Sequence, residues 1–107
     1  MPLAIITGSS RGLGLALARA LAERRWALVI DARGGSELER AARELGAVTE
    51  VVAIAGDVAD DWHRGALVEA AGEHVDLLVN NASMLGPSPQ PPLGRYRARE
   101  LATVAAA

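Results

Sequence analysis

Residues 3–14 read Leu3-Ala4-Ile5-Ile6-Thr7-Gly8-Ser9-Ser10-Arg11-Gly12-Leu13-Gly14, and the fold is decided here. Leu3 to Thr7 is a short apolar run without alternation, the pattern of a strand buried on both faces of a parallel sheet. Gly8 ends it. Beyond the glycines, Leu13, Leu17, Ala20 and Leu21 recur at i, i+4, i+7 and i+8, which is one face of a helix running to about Arg24 or Arg25. The bend between strand and helix has the spacing G-x3-G-x-G. Four backbone N–H groups at such a helix start have no helical partner, and the helix dipole favours an anion there. Glycines let the chain turn sharply and approach a phosphate with no Cβ in the way. An ordinary Gly-rich turn between strand and helix is the competing reading. The spacing also differs from G-x-G-x-x-G and from a P-loop.

The same punctuation continues along the chain. Ala27 to Ala32 (ALVIDA) reads as a second strand, broken by Arg33-Gly34-Gly35. Ser36 starts a second helix with Glu39 as capping-box partner; it ends near Leu45, with Gly46 as its cap. Val51 to Ala55 is a third strand, followed by Gly56-Asp57-Val58. Asp60 is the candidate N-cap of a helix through about Glu73. Val75 to Val79 is a fourth strand, ending at Asn80-Asn81. Residues 83–94 hold four of the five prolines and read as a loop. Tyr96 to about Val104 reads as a last short helix. Strands alternating with helices predict right-handed crossovers and an α/β, Rossmann-like doubly wound parallel sheet, truncated after the fourth strand, in the order 3-2-1-4. Ligands of such sheets bind where strands 1 and 4 part, and the segments 8–14 and 80–83 both fall there.

Composition removes several chemistries. The 107 residues contain no cysteine, so disulfides, thiolate nucleophiles and Cys-bound zinc are excluded. All eleven basic residues are arginine, which excludes a Schiff-base or P-loop lysine within the chain. With no phenylalanine, the core must be built from Leu, Val, Ile and Ala. A net charge of −2 gives no basic stripe for nucleic acid and no membrane patch. No apolar run approaches the ~20 residues of a membrane span, and the N-terminus lacks the positive region of a secretory signal. The expectation is a cytoplasmic protein with no metal. His63 and His74 lie roughly 16 Å apart along a helix, too far to share a metal, and read as surface residues. Trp26 and Trp62 read as packing residues. Arg95, Arg97 and Arg99 read as a solvated face.

TGSSRGLG at residues 7–14, Asp57-Val58 after the third strand and NNAS at residues 80–83 together resemble the short-chain dehydrogenase/reductase family. The family patterns are TGxxxGxG, an Asp-Val pair and NNAG, in this order. The resemblance implies a dinucleotide-binding half at residues 1–83, then the Pro-rich loop and short helix at 84–107. Gly8, Gly12 and Gly14 would form the phosphate turn, lined by Ser9, Ser10, Arg11 and Leu13. Asp57 would accept from the adenine amino group while Val58 packs on the ring; its alternative is an Asx turn. Asn80 would tie the sheet together. Asn81, Ala82 and Ser83 would lie along the nicotinamide-side ribose, with Ser83 replacing the usual Gly. Arg25 stands where the family often has Gly after the first helix.

Cofactor choice follows from charge, since a 2′-phosphate needs cations and a free 2′-hydroxyl prefers a carboxylate. The family's NAD-selecting acid falls on Ala32, the basic residue after it on Arg33, and Arg11 precedes the second glycine. Arg11 and Arg33 favour NADP(H) over NAD(H); Asp31 argues the other way, although strand alternation points it and Ala32 to opposite faces. The family's catalytic Ser and Tyr-x-x-x-Lys are missing: Tyr96 is followed four residues on by Glu100, which would raise a phenol pKa. The resemblance therefore implies the cofactor part of an oxidoreductase that transfers hydride between a dinucleotide and a carbonyl or alcohol. Alternatives are a non-catalytic nucleotide-binding module or a non-functional fragment. The fourth strand would be an open apolar edge prone to self-association.

Overall fold

The computed structural model describes residues 1–81 and the strand 102–105. In chain order the elements are β1 (Leu3–Ile6), α1 (Gly12–Glu23), β2 (Ala27–Ala32), α2 (Gly35–Gly46), β3 (Val51–Ala55), α3 (Asp61–Ala71), β4 (Leu77–Asn80) and β5 (Ala102–Ala105). The sheet order is β3-β2-β1-β4-β5, and every neighbouring pair is parallel. The doubly wound α/β sheet with 3-2-1-4 at its centre is thus the fold of the chain.

Two apolar clusters sandwich the sheet. Ala4, Ile6, Leu28 and Ile30 pack under α1 and α2, with Ala18, Ala22, Leu38 and Leu45 opposite them. Ile5, Val29 and Leu78 pack under α3, against Leu67 and Val68. Adjacent strand residues point to opposite faces, so β1 and β2 are apolar but for Asp31, and all six residues of β2 are buried.

Local structure departs from the sequence reading in several places. The buried face of α1 is Gly14, Ala18 and Ala22, not the leucine stripe; Leu15, Leu17 and Leu21 flank it. Small residues let α1 lie close on the sheet while the leucines wrap its sides. The capping box does not form: α2 begins one residue before Ser36, with Gly34 as an N-cap that offers no side-chain bond. Trp62 is 85% exposed on the first turn of α3, whereas Trp26 packs against the larger cluster.

A further departure is β5. The helix expected from Tyr96 to about Val104 falls partly outside the described residues, but 102–105 is a strand, in register with β4 from Leu77↔Ala102 to Asn80↔Ala105. The sheet therefore does not stop at β4, and β4 is not an open edge. Alanines favour a helix locally, but the row of backbone donors and acceptors along β4 offers a ladder that overrides a weak preference.

Candidate functional site

The chain leaves β1 through a bend whose two ends take a conformation that favours glycine. Gly8 and Gly12 have φ of 63° and 62°, in the left-handed region. Gly14 is buried, and a Cβ there would overlap the Gly8 carbonyl oxygen and lie 2.9 Å from Asn81 Nδ2. Asn81 Nδ2 donates to that same oxygen at 3.0 Å, joining the end of β4 to the bend. The first two amides of the bend turn back towards β2: Gly8 N donates to Asp31 Oδ1 (2.7 Å) and Ser9 N to Asp31 O (2.9 Å). Ser9 is fully buried; its hydroxyl donates to Ile6 O (2.9 Å) and accepts from Asp31 N (3.2 Å). Ser10 is half-buried, and Arg11 and Leu13 are exposed.

Leu15 N reaches Arg11 O at 3.4 Å, so the amides of Gly12, Leu13 and Gly14 are the donors without a partner inside α1. Arg11, the N-cap, contributes no capping side chain, and the first turn holds no acid to offset the dipole. A cradle that a Cβ would fill, at a helix start with free donors, matches the chemistry of a phosphate.

Asp57 and Arg33 form a second lip at the ends of β3 and β2. Asp57 Oδ1 accepts from Ala59 N (2.9 Å) and Oδ2 from Arg33 Nη2 (3.0 Å). The Ala59 amide is the main influence holding the Asp57 carboxyl below the usual range; desolvation opposes it, and Arg33 and His63 add to it. The Asx turn weighed for Asp57 is present. Both partners of the Arg33 pair are well exposed, so the pair contributes little stability. Val58 is half-buried, and its carbonyl accepts from Arg64 Nη1. Arg64 Nη2 donates to Asp61 Oδ1 (3.0 Å). Ala82 and Ser83 lie outside the described residues, as does Tyr96.

One pair escapes the sequence reading. His63 is buried rather than on the surface, and its Nε2 lies 2.7 Å from Asp31 Oδ2. Asp31, 1% exposed, therefore spends one oxygen on Gly8 N and the other on His63. Burial is the main influence raising the Asp31 carboxyl, with the His63 hydrogen bond the largest opposing it. The available signal was a single acid in the otherwise apolar ALVIDA, which needs a buried partner. His74, by contrast, is half-exposed and bonds Asp76 Oδ1 at 2.6 Å. Among the described residues no group of acids and histidines is placed to hold a metal, and no helix is long and apolar enough to cross a membrane.

Comparison with known proteins gives this geometry its class. The family model for short chain dehydrogenase matches residues 2–104, and the chain belongs to that family of oxidoreductases. It is 35% identical over 102 residues to a 1-deoxy-11-beta-hydroxypentalenate dehydrogenase of Streptomyces arenae, covering 88% of this chain and 36% of the relative. An L-sorbose reductase from Gluconobacter frateurii, solved with NADPH and L-sorbose, superposes with a TM-score of 0.71 at 35% identity, covering 89% of this chain and 37% of that one. An alcohol dehydrogenase from the archaeon Thermococcus sibiricus, solved with 5-hydroxy-NADP, gives 0.69 at 40% identity over 77% of this chain and 37% of its own. The chain thus spans little more than a third of the length of these relatives.

Proposed function

We propose that residues 1–83 bind NADP(H) and form the cofactor half of an oxidoreductase acting between a carbonyl and an alcohol. The observation that carries the reading is the Gly8–Gly14–Asn81 cradle beside the free amides of α1. In this reading the amides of Gly12, Leu13 and Gly14 hold the pyrophosphate. Gly8 sets the bend, and Ser9 braces it from behind. Ser10 and Arg11 border it, Asp57 and Val58 receive the adenine, and Asn81, Ala82 and Ser83 adjoin the ribose. The bound cofactor supplies hydride. The chain has no lysine, so the Tyr-x-x-x-Lys pair that would move the accompanying proton is not in these residues.

The preference for NADP(H) is supported by where the charges are. Asp31 is buried with both oxygens taken, which removes the acid that argued for NAD. Arg33 is exposed and tied only to an exposed carboxylate, so a 2′-phosphate competes readily for it. The test is a fluorescence titration of the 107-residue chain with NADPH and NADH, with Gly14→Ala as control. NADPH is expected to bind at least about tenfold tighter than NADH, a difference of one charge-assisted contact. Gly14→Ala is expected to abolish both signals. Tighter NADH binding would overturn the preference, and unchanged binding by Gly14→Ala would overturn the site.

A further inference from the structure

Asp31 and His63 are only 1% and 5% exposed, yet they reach the bend directly. His63 Nε2 bonds Asp31 Oδ2, and Asp31 Oδ1 accepts from Gly8 N, each at 2.7 Å. Three separate parts of the chain meet here: the first turn of α3, the end of β2 and the start of the phosphate bend. Gly56 makes the room, since a Cβ there would overlap the imidazole. The surrounding charges do not substitute for the histidine. Asp57 faces the pair and is matched by Arg33, and its like charge disfavours the ionised Asp31. Arg64, next on α3, turns to Val58 O and Asp61, and the bend itself offers only the exposed Arg11.

A carboxylate buried at this position needs a donor at each oxygen or else takes up a proton. We propose that Asp31 and His63 are a positioning pair: the imidazole fixes the carboxylate so that its other oxygen holds the Gly8 amide in the left-handed turn that dinucleotide binding requires. The proposal rests on the dinucleotide reading above and adds to it a determinant of affinity that lies outside the ligand's contacts.

The test compares dissociation constants for NADPH as ratios of variant to wild type, which cancels the titration of the cofactor itself. His63→Leu leaves Asp31 Oδ2 without its donor. The ratio is expected to be about tenfold or more near pH 8. It should fall as pH is lowered from 8, because a protonated Asp31 needs no partner and still offers Gly8 an oxygen. In His63→Leu/Asp31→Asn the amide oxygen serves Gly8 with no charge to bury, so the ratio should be within about threefold and flat with pH. His63→Gln, which keeps a donor, should stay close to wild type.

A purely structural role for His63 would lower the melting temperature without tilting the ratio with pH. A flat ratio in His63→Leu, or no rescue by Asp31→Asn, overturns the proposal. Should His63→Leu fail to fold near pH 8, binding by the double variant decides. If wild type binds no dinucleotide, the cofactor reading falls, and the pair is judged on unliganded melting temperatures. These should drop further near pH 8 than near pH 6 in His63→Leu and recover in the double variant; otherwise the pair falls too.

Discussion

Arg25 holds a conformation that glycine usually supplies. Its φ is 64°, and Arg25 N donates to Ala22 O (2.9 Å) while Trp26 N donates to Leu21 O (3.1 Å). These two bonds are the Schellman ending of α1, with Trp26 and Leu21 both against the core. An L-residue with a Cβ in this region costs about 1 kcal/mol. Arg25→Gly is therefore expected to stabilise the protein by up to about 1 kcal/mol, less what glycine loses in chain entropy. A higher midpoint of urea denaturation at unchanged slope would show it. The strain was legible beforehand, because the resemblance puts the residue where the family often has glycine. The burial of His63 was not. It sits in the polar run Asp60-Asp61-Trp62-His63-Arg64, and its partner is 32 residues away in sequence.

Elements are joined at their ends by carboxylates, and these make stability depend on pH. Asp76, just before β4, accepts from Leu3 N at the start of β1 (2.8 Å), and that bond is the main influence lowering its carboxyl below the usual range. Asp57 is lowered too, chiefly by the Ala59 amide. Such groups stabilise the fold while ionised; their contribution is present above about pH 4 and is lost as pH falls through the native value. Asp31 has the opposite sign: raised by burial, it favours the fold most below about pH 4, and that contribution is lost as pH rises through its native value. Stability is expected to fall between about pH 5 and pH 3, and Asp76→Asn should flatten that fall. Urea midpoints across that range check it. Elements themselves were readable wherever a local pattern decided them. Asp60 caps α3 through Trp62 N (3.0 Å), and the apolar run 27–32 became a fully buried strand, whereas 51–55 became a strand that stays largely exposed. The face of α1 was misread because leucine spacing carries the pattern, while contact with the sheet selects the small residues between.

At the scale of the whole molecule, the central order β3-β2-β1-β4 followed from the alternation of strand and helix, since crossover handedness leaves few arrangements. The fifth strand did not follow, because nothing within Ala102-Thr103-Val104-Ala105 marks it apart from a helix end. Its structure comes from the neighbour it pairs with. Ending the chain after Glu100 would expose β4 along its full length. The shortened protein is expected to melt about 5 °C lower or more and to self-associate. Calorimetry and sedimentation velocity check this, and a monomer of unchanged melting temperature would show that β5 protects nothing.

The asparagine stitch between β4 and the bend has one more consequence. Thr7 reaches Val79 O from β1 through both its N and its Oγ1, and farther along the gap the Asn81 amide links to Gly8 O. The mouth of the crevice is accordingly held in part by one side chain of fixed reach. Its aperture can be altered by swapping that one prop for a shorter or longer one, with the strands below left as they are.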